Sequence, residues 1–242
     1  IEPNEDTDEA ISEQIAFEAA LSDDHQAIVE QFLAASDTTE GKGLLLGADE
    51  QTRIAVDHGG FLQEALDAGD FELARRHAEH VVNILDGENG PLFNDFDGDG
   101  LAQNPGDGVG VAVYLNQALD LSEQALALSQ LSDANLAHTQ QVQTYSEKSS
   151  QKTEQVLEMA LKVFAMDSVE ETQSISQALN QALDELLNGI DEDQNGIIDP
   201  TLAEGGVFAA YNSGLLMAQV PVFDESEQAS DSSFDLTRLG GI

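Results

Sequence analysis

Along most of this chain apolar residues recur three and four positions apart, with acidic and amide side chains between them. On a helix that spacing gathers the apolar residues into one stripe. It predicts helices near 7–21, 23–36, 48–67, 70–86, 109–130, 133–165, 169–188 and 205–219. Ala, Leu, Glu and Gln fill these segments, and all four are good helix formers. Ser22, Asp70 and Asp133 suit N-caps, and Gly87 and Gly189 suit helix ends. No segment alternates over many residues as a half-buried strand does. The expected fold class is therefore all-α, a helical bundle.

The pattern also repeats. "NILDG" (83–87) matches "ELLNG" (185–189), and "DFDGDG" (95–100) matches "DEDQNG" (191–196). "NPGDGVGVAVYLNQAL" (104–119) matches "DPTLAEGGVFAAYNSGLL" (199–216), with its Pro and its Gly-Val-apolar-Tyr-Asn run in the same order. Each unit reads as a helix hairpin, an acidic loop and a further helix, as expected of an internal duplication. The expected organisation is a pair of helices within 1–50 that packs on the repeats, a first repeat over 51–130 with an acidic loop at 94–108, a second over 131–220 with its loop at 191–204, and a polar tail over 221–242.

Charge narrows the partners. The chain carries 47 acidic and 8 basic residues, a net charge of −39, with 41% hydrophobic residues. The hydrophobic content suits a globular chain. The charge argues against nucleic acid and anionic lipid, which need Lys and Arg. Such a chain repels itself unless salt or bound cations offset the charge, so a saline habitat and a divalent-metal habit fit equally well. There is no cysteine, which excludes disulfides, thiolate metal sites, iron–sulfur clusters and covalently attached haem. No apolar run approaches the roughly 18 residues of a membrane span. The first residue, Ile1, is read as the start of a processed, secreted chain whose signal peptide has gone.

The acidic loops then acquire a chemical meaning. Calcium takes six to eight oxygen ligands at about 2.3–2.6 Å. A D-x-D-x-D-G run offers three carboxylates at alternate positions, a Gly for the sharp turn and a backbone carbonyl just beyond it. Asp95, Asp97, Asp99, Gly100 and Leu101 meet that order, as do Asp191, Asp193, Asn195, Gly196 and Ile197. At these positions the two stretches resemble EF-hand and dockerin-type calcium loops. The resemblance covers about 14 residues twice and implies calcium as cofactor, not a fold. Where an EF-hand closes with a bidentate Glu, this chain has Gly106 and Leu202. Asp107 and Glu204 are the nearest acids to fill that role, and Asp199 stands where a ligand often acts through water. Asp, Asn and Gly are also plain turn formers; two loops at matching places in a repeat favour the cation. Magnesium is disfavoured by its stricter octahedral geometry.

A second constellation lies upstream. His58, His77 and His80 fall on the apolar faces of adjacent predicted helices, with Leu73, His77, His80 and Ile84 in one stripe and Ile54, His58, Phe61 and Ala65 in the other. His58 and His80 are each 11 residues from Gly69 at the hairpin turn, so an antiparallel pair sets them level. Three converging imidazoles admit a transition metal or haem. Against this, the matching positions of the second unit, Leu161, Leu179 and Ala182, are ordinary core positions. Glu72 and Glu79 lie off the stripe, which disfavours a di-iron carboxylate centre. His25 and His138 are isolated.

No G-x-S-x-G, Walker loop, H-E-x-x-H or Cys nucleophile is present. "GDGVG" holds Asp107 and has no Lys nearby, so it repels phosphate. Nothing singles out a glycosidase pair, and aromatics are only 5% of the chain. The expectation is a non-enzymatic, secreted or surface calcium-binding protein with a structural, adhesive or self-assembling role, such as a filament or surface layer, forming a homo-oligomer. The alternative is a metal- or haem-binding carrier or redox protein using His58, His77 and His80.

Overall fold

Seven helices run through the described residues, which are 22–34, 41–128, 131–199 and 204–218 of this computed structural model. They are α1 (Asp23–Leu33), α2 (Leu44–Asp67), α3 (Phe71–Asp86), α4 (Val111–Leu126), α5 (Asp133–Val163), α6 (Val169–Asn188) and α7 (Val207–Met217). The all-α expectation holds. The helix expected at 7–21 and the tail at 221–242 lie outside the described residues.

Helix starts follow capping chemistry. Ser22, Asp70, Ser132 and Ser168 each accept from a backbone N–H one turn in, satisfying one of the donors that every helix start leaves over. The cap of α5 is therefore Ser132, and Asp133, expected there, is its first helical residue. α2 starts four residues earlier than the pattern predicts. Leu44 and Leu45 are both buried, so tertiary packing draws an extra turn onto the helix. α4 ends at Leu126 and α7 spans Val207–Met217, both shorter than expected.

α2 and α3 form one hairpin, α5 and α6 a second. α5 lies along α4, α6 and α7, while α2 packs on α3 and α6. A continuous core results, with Phe32, Leu45, Leu62, Ile84, Tyr114, Leu115, Leu183 and Met217 fully enclosed. Truncating one of these, as in Leu183→Ala, leaves a cavity costing about 2–5 kcal/mol. Of the histidine-matched positions, Leu179 and Ala182 are buried in this core and Leu161 packs against it half-buried.

Each hairpin leads into an acidic loop and then a helix. The necks of the two loops are built alike. Glu88 donates its N–H to the Gly108 carbonyl (2.8 Å), and Ile190 donates to that of Glu204 (2.7 Å). Gly87 and Gly189 sit at these necks with φ of 83° and 92°. A Cβ there would run into the carbonyl of Val109 or Glu204 across the neck. Glycine is therefore required at both positions on two counts, backbone conformation and space.

Candidate metal centres

The first acidic loop is bound to α3 by a stripe of buried polar residues. Glu79, Asn83 and Asp86 follow one another at helical spacing, and all three are buried. The Asn83 amide donates to the carbonyls of Asn94 (3.1 Å) and Gln103 (3.0 Å), and its oxygen accepts from the Asn94 N–H (3.2 Å). Asp86 accepts from the Leu92 N–H (2.6 Å). Glu79 accepts from the N–H groups of Phe96 (2.7 Å), Asp97 (3.0 Å) and Gln103 (3.0 Å).

Within the loop, Asp95 accepts from the N–H groups of Gly98 (2.7 Å) and Gly100 (2.8 Å). Asp97 and Asp99 each accept from the amide two residues on, at 2.9 Å. Of the three alternate carboxylates, Asp95 and Asp97 come together, while Asp99 pairs with Arg76. One oxygen each of Glu79, Asp95 and Asp97 lies within 4.8 Å of the others. Arg76 reaches in from α3, 3.3 Å from both Asp97 and Asp99, and so partly offsets the charge. The Leu101 carbonyl accepts no hydrogen bond among the described residues.

Asp107 is not brought to this group. Its carboxylate accepts from the Tyr114 hydroxyl (2.8 Å) and the Val109 N–H (3.0 Å), and Lys42 stands 3.9 Å away. The loop has already turned toward α4 at this point, and Asp107 orders that turn. Burial, with the hydrogen bond to Asp107 added, raises the Tyr114 pKa. The acid that faces Asp95 and Asp97 is instead Glu79, which precedes the loop on a helix.

The second loop repeats the inner geometry. Asp191 accepts from the N–H groups of Asn195 (3.0 Å) and Gly196 (2.7 Å), and Asn195 Oδ1 accepts from that of Ile197 (2.7 Å). Glu204 is buried and accepts from the N–H groups of Glu192 (2.9 Å), Asp193 (3.3 Å) and Asp199 (2.9 Å). Asp191, Asp193 and Glu204 offer oxygens within 4.8 Å of one another. Asp199 meets Glu204 through its backbone, donating one hydrogen bond and accepting another. The Ile197 carbonyl, like that of Leu101, takes no hydrogen bond among the described residues. Burial and the negative charge of Asp199 and Glu204 push the nearby Tyr145 up to about 12.

The three histidines converge as the hairpin geometry predicts. His58 Nδ1 lies 3.0 Å from His77 Nδ1 and 3.2 Å from His80 Nδ1. Their ring centroids are 4.7–5.6 Å apart. Phe61 stands edge-on to His58 at 5.4 Å and flanks His77 at the same distance. His80 is buried, while His58 and His77 are half-buried. Burial, then the neighbouring His80 and His77, pushes the His58 pKa down to about 4. Burial also lowers that of His77, reinforced by His80 and Arg76. Glu79, next to His80 in the chain, turns its carboxylate to the amides of the loop.

Sequence reasoning missed Glu79, Arg76, Asn83 and Gln103. The polar spacing 79–83–86, running into the buried end of α3, was the available signal. His25 and His138 stay apart from the trio; His25 is buried on α1, and His138 pairs with Gln141 at 3.1 Å. No helix among the described residues is long and apolar enough to cross a membrane. No family model, no curated protein and no solved structure matches the chain.

Proposed function

We propose that this is a calcium-binding helical protein in which two acidic loops each take up one ion, and in which calcium serves the fold and not a reaction. The observation that carries this reading is the matched pair of buried glutamates. Glu79 and Glu204 each face two loop aspartates with oxygens within 4.8 Å, at loops that share the D-x-D/N alternation. All-oxygen, multi-carboxylate groups suit a hard cation. Two carboxylates about 4 Å apart repel by roughly 4 kcal/mol at an effective dielectric of 20, and a bound divalent ion reverses the sign of that term. The carbonyls of Leu101 and Ile197 and the side chains of Asp99 and Asn195 supply further oxygens.

The natural setting for such a site is a calcium-rich fluid outside the cell or at its surface. There, bound cations also offset the net charge of −39 and let copies of the chain approach one another. The role is therefore structural, with self-assembly as its extension. Calcium titration by calorimetry tests this directly, with two ions per chain expected. Excess EGTA should lower the melting temperature by 10 °C or more, as expected when a ligand well above its Kd is withdrawn, and should loosen any oligomer seen by light scattering. An unchanged melt in EGTA would sink the reading.

A further inference from the structure

We propose that His58, His77 and His80 form a separate site for one divalent transition-metal ion, bound through three Nδ1 atoms, with Gln103 as the residue that positions His80. His58 Nδ1 has two imidazole Nδ1 neighbours, at 3.0 and 3.2 Å. Nitrogens bound at about 2.0–2.1 Å around a tetrahedral ion lie about 3.3 Å from one another. The observed separations fall within a few tenths of an ångström of that spacing.

Protons alone serve this arrangement poorly. A single hydrogen on His58 Nδ1 has to be shared between two acceptors. A hydrogen on either of the others leaves one lone pair facing another at close to 3 Å. One cation between the three nitrogens satisfies all of them.

Gln103 supplies an independent observation. Its Oε1 lies 3.1 Å from His80 Nε2. An amide oxygen only accepts, so Nε2 carries the hydrogen and the neutral ring presents a bare Nδ1 toward His58. Fixing a ligand histidine through its other nitrogen is the usual outer-shell device of metal sites. Gln103 is itself held, its N–H by Glu79 and its carbonyl by Asn83. The backbone that carries the Gln103 side chain is thereby anchored to two buried residues of α3.

The chemistry selects the ion. Imidazole suits zinc, copper, iron and nickel, not calcium or magnesium. Direct packing of the three rings favours one small ion over a porphyrin, which would need a slot between rings whose centroids are 4.7–5.6 Å apart. Three protein nitrogens leave at least one position for water or another ligand. With Phe61 exposed beside His58 and His77, that position is reachable from solvent.

The test uses the full chain, stripped of metal on a chelating resin and titrated with cobalt(II). Intense visible d–d bands of low-coordinate cobalt, saturating at one equivalent and bleached by zinc, are expected. His58→Ala and His77→Ala should abolish them while far-UV circular dichroism keeps its helical signal. Should a variant fail to fold, long-range ¹⁵N–¹H spectra of the wild-type imidazoles decide. Zinc should shift the Nδ1 resonances of His58, His77 and His80 and leave those of His25 and His138 in place. Gln103→Leu should weaken cobalt binding by about 10–100-fold and release His80 from its Nε2–H tautomer, a change that a merely structural role would not produce. Only the pale spectrum of six-coordinate aqueous cobalt, bands that survive both His variants, or zinc shifts confined to His25 and His138 would each overturn the proposal.

Discussion

Glu79 and Glu204 accept hydrogen bonds from corresponding amides, although one precedes its loop on a helix and the other is the last residue of its loop. In the register that pairs Asp95 with Asp191, the donors to Glu79 are Phe96, Asp97 and Gln103. The donors to Glu204 are Glu192, Asp193 and Asp199. Each loop is thus wound around one buried carboxylate. Replacing Glu79 by Ala strands three amides of a partly buried loop and should cost about 2–3 kcal/mol, read by urea unfolding. Glu79→Gln keeps part of the hydrogen bonding but not the charge. It should spare most of that stability and remove one of the two calcium equivalents by calorimetry. Glu204→Gln should remove the other. Retention of both ions in either Gln variant contradicts the assignment.

Arg76 distinguishes the loops. It bridges Asp97 and Asp99 at 3.3 Å each, so it occupies charge that an ion would otherwise use. Arg76→Gln is expected to lower the melting temperature of the calcium-free chain, because the carboxylates lose their offsetting cation. In saturating calcium the melt should change little, and the affinity of the first loop should rise severalfold. Calorimetric titration of wild type and variant checks the sign. Equal or weaker binding in the variant would show that Arg76 does not compete.

Gln194 occupies a left-handed conformation, with φ of 58°, the only non-glycine described residue at positive φ. The matching residue of the first loop is Gly98, with φ of 80°. A side chain in that region costs about 1–2 kcal/mol, and glycine escapes the penalty. Gln194→Gly should therefore stabilise the second loop by up to about 1 kcal/mol and strengthen calcium binding there. Thermal melts at fixed calcium provide the measurement, and a lower melting temperature would count against the turn as described.

Lys152 and Glu185 join the two helices of the second hairpin at 2.7 Å, with Gln181 donating to the other Glu185 oxygen. Burial alone would raise the Glu185 pKa; the hydrogen bonds from Lys152 and Gln181 and the Lys152 charge outweigh it and hold it below its ordinary value. A folded pKa below the unfolded one means that the unfolded chain binds more protons as the pH falls. The stabilisation is present above the unfolded value, about 4.3, and disappears as pH drops through the folded value. Glu185→Gln should cost up to about 1 kcal/mol at pH 7 and close to nothing once Glu185 is protonated in wild type. Urea unfolding at both pH values checks this.

The helices and the histidine convergence were legible in the sequence because both depend on local periodicity. Equal distances from Gly69 along two antiparallel helices were enough to set His58 and His80 level. The alternate aspartates were legible for the same reason, since each Asx turn involves neighbours in the chain. Glu79 was not, because its role depends on the loop folding back over α3. Asp107 shows the converse: it is close to Asp95 and Asp97 along the chain, yet the turn into α4 gives its carboxylate to Tyr114. The added first turn of α2 depends on Leu44 and Leu45 reaching the core, a tertiary effect that periodicity does not report.

Gln103 links the two candidate centres of the first hairpin. Its N–H binds Glu79, a proposed calcium ligand, and its side-chain oxygen holds His80, a proposed transition-metal ligand. An ion that draws Asp95, Asp97 and Glu79 together orders the loop segment carrying Gln103. That order holds His80 in the tautomer a metal requires. Linkage then demands the reciprocal effect: each ion raises the affinity for the other by the same factor, typically about 5–150-fold when sites are coupled. The prediction is that saturating calcium tightens cobalt binding by at least about fivefold in wild type, and that Gln103→Leu, which cuts the link, brings the ratio close to one. Cobalt titrations of both proteins, with and without calcium, measure all four affinities. A wild-type ratio near one would show that the two centres, though adjacent on α3, act independently.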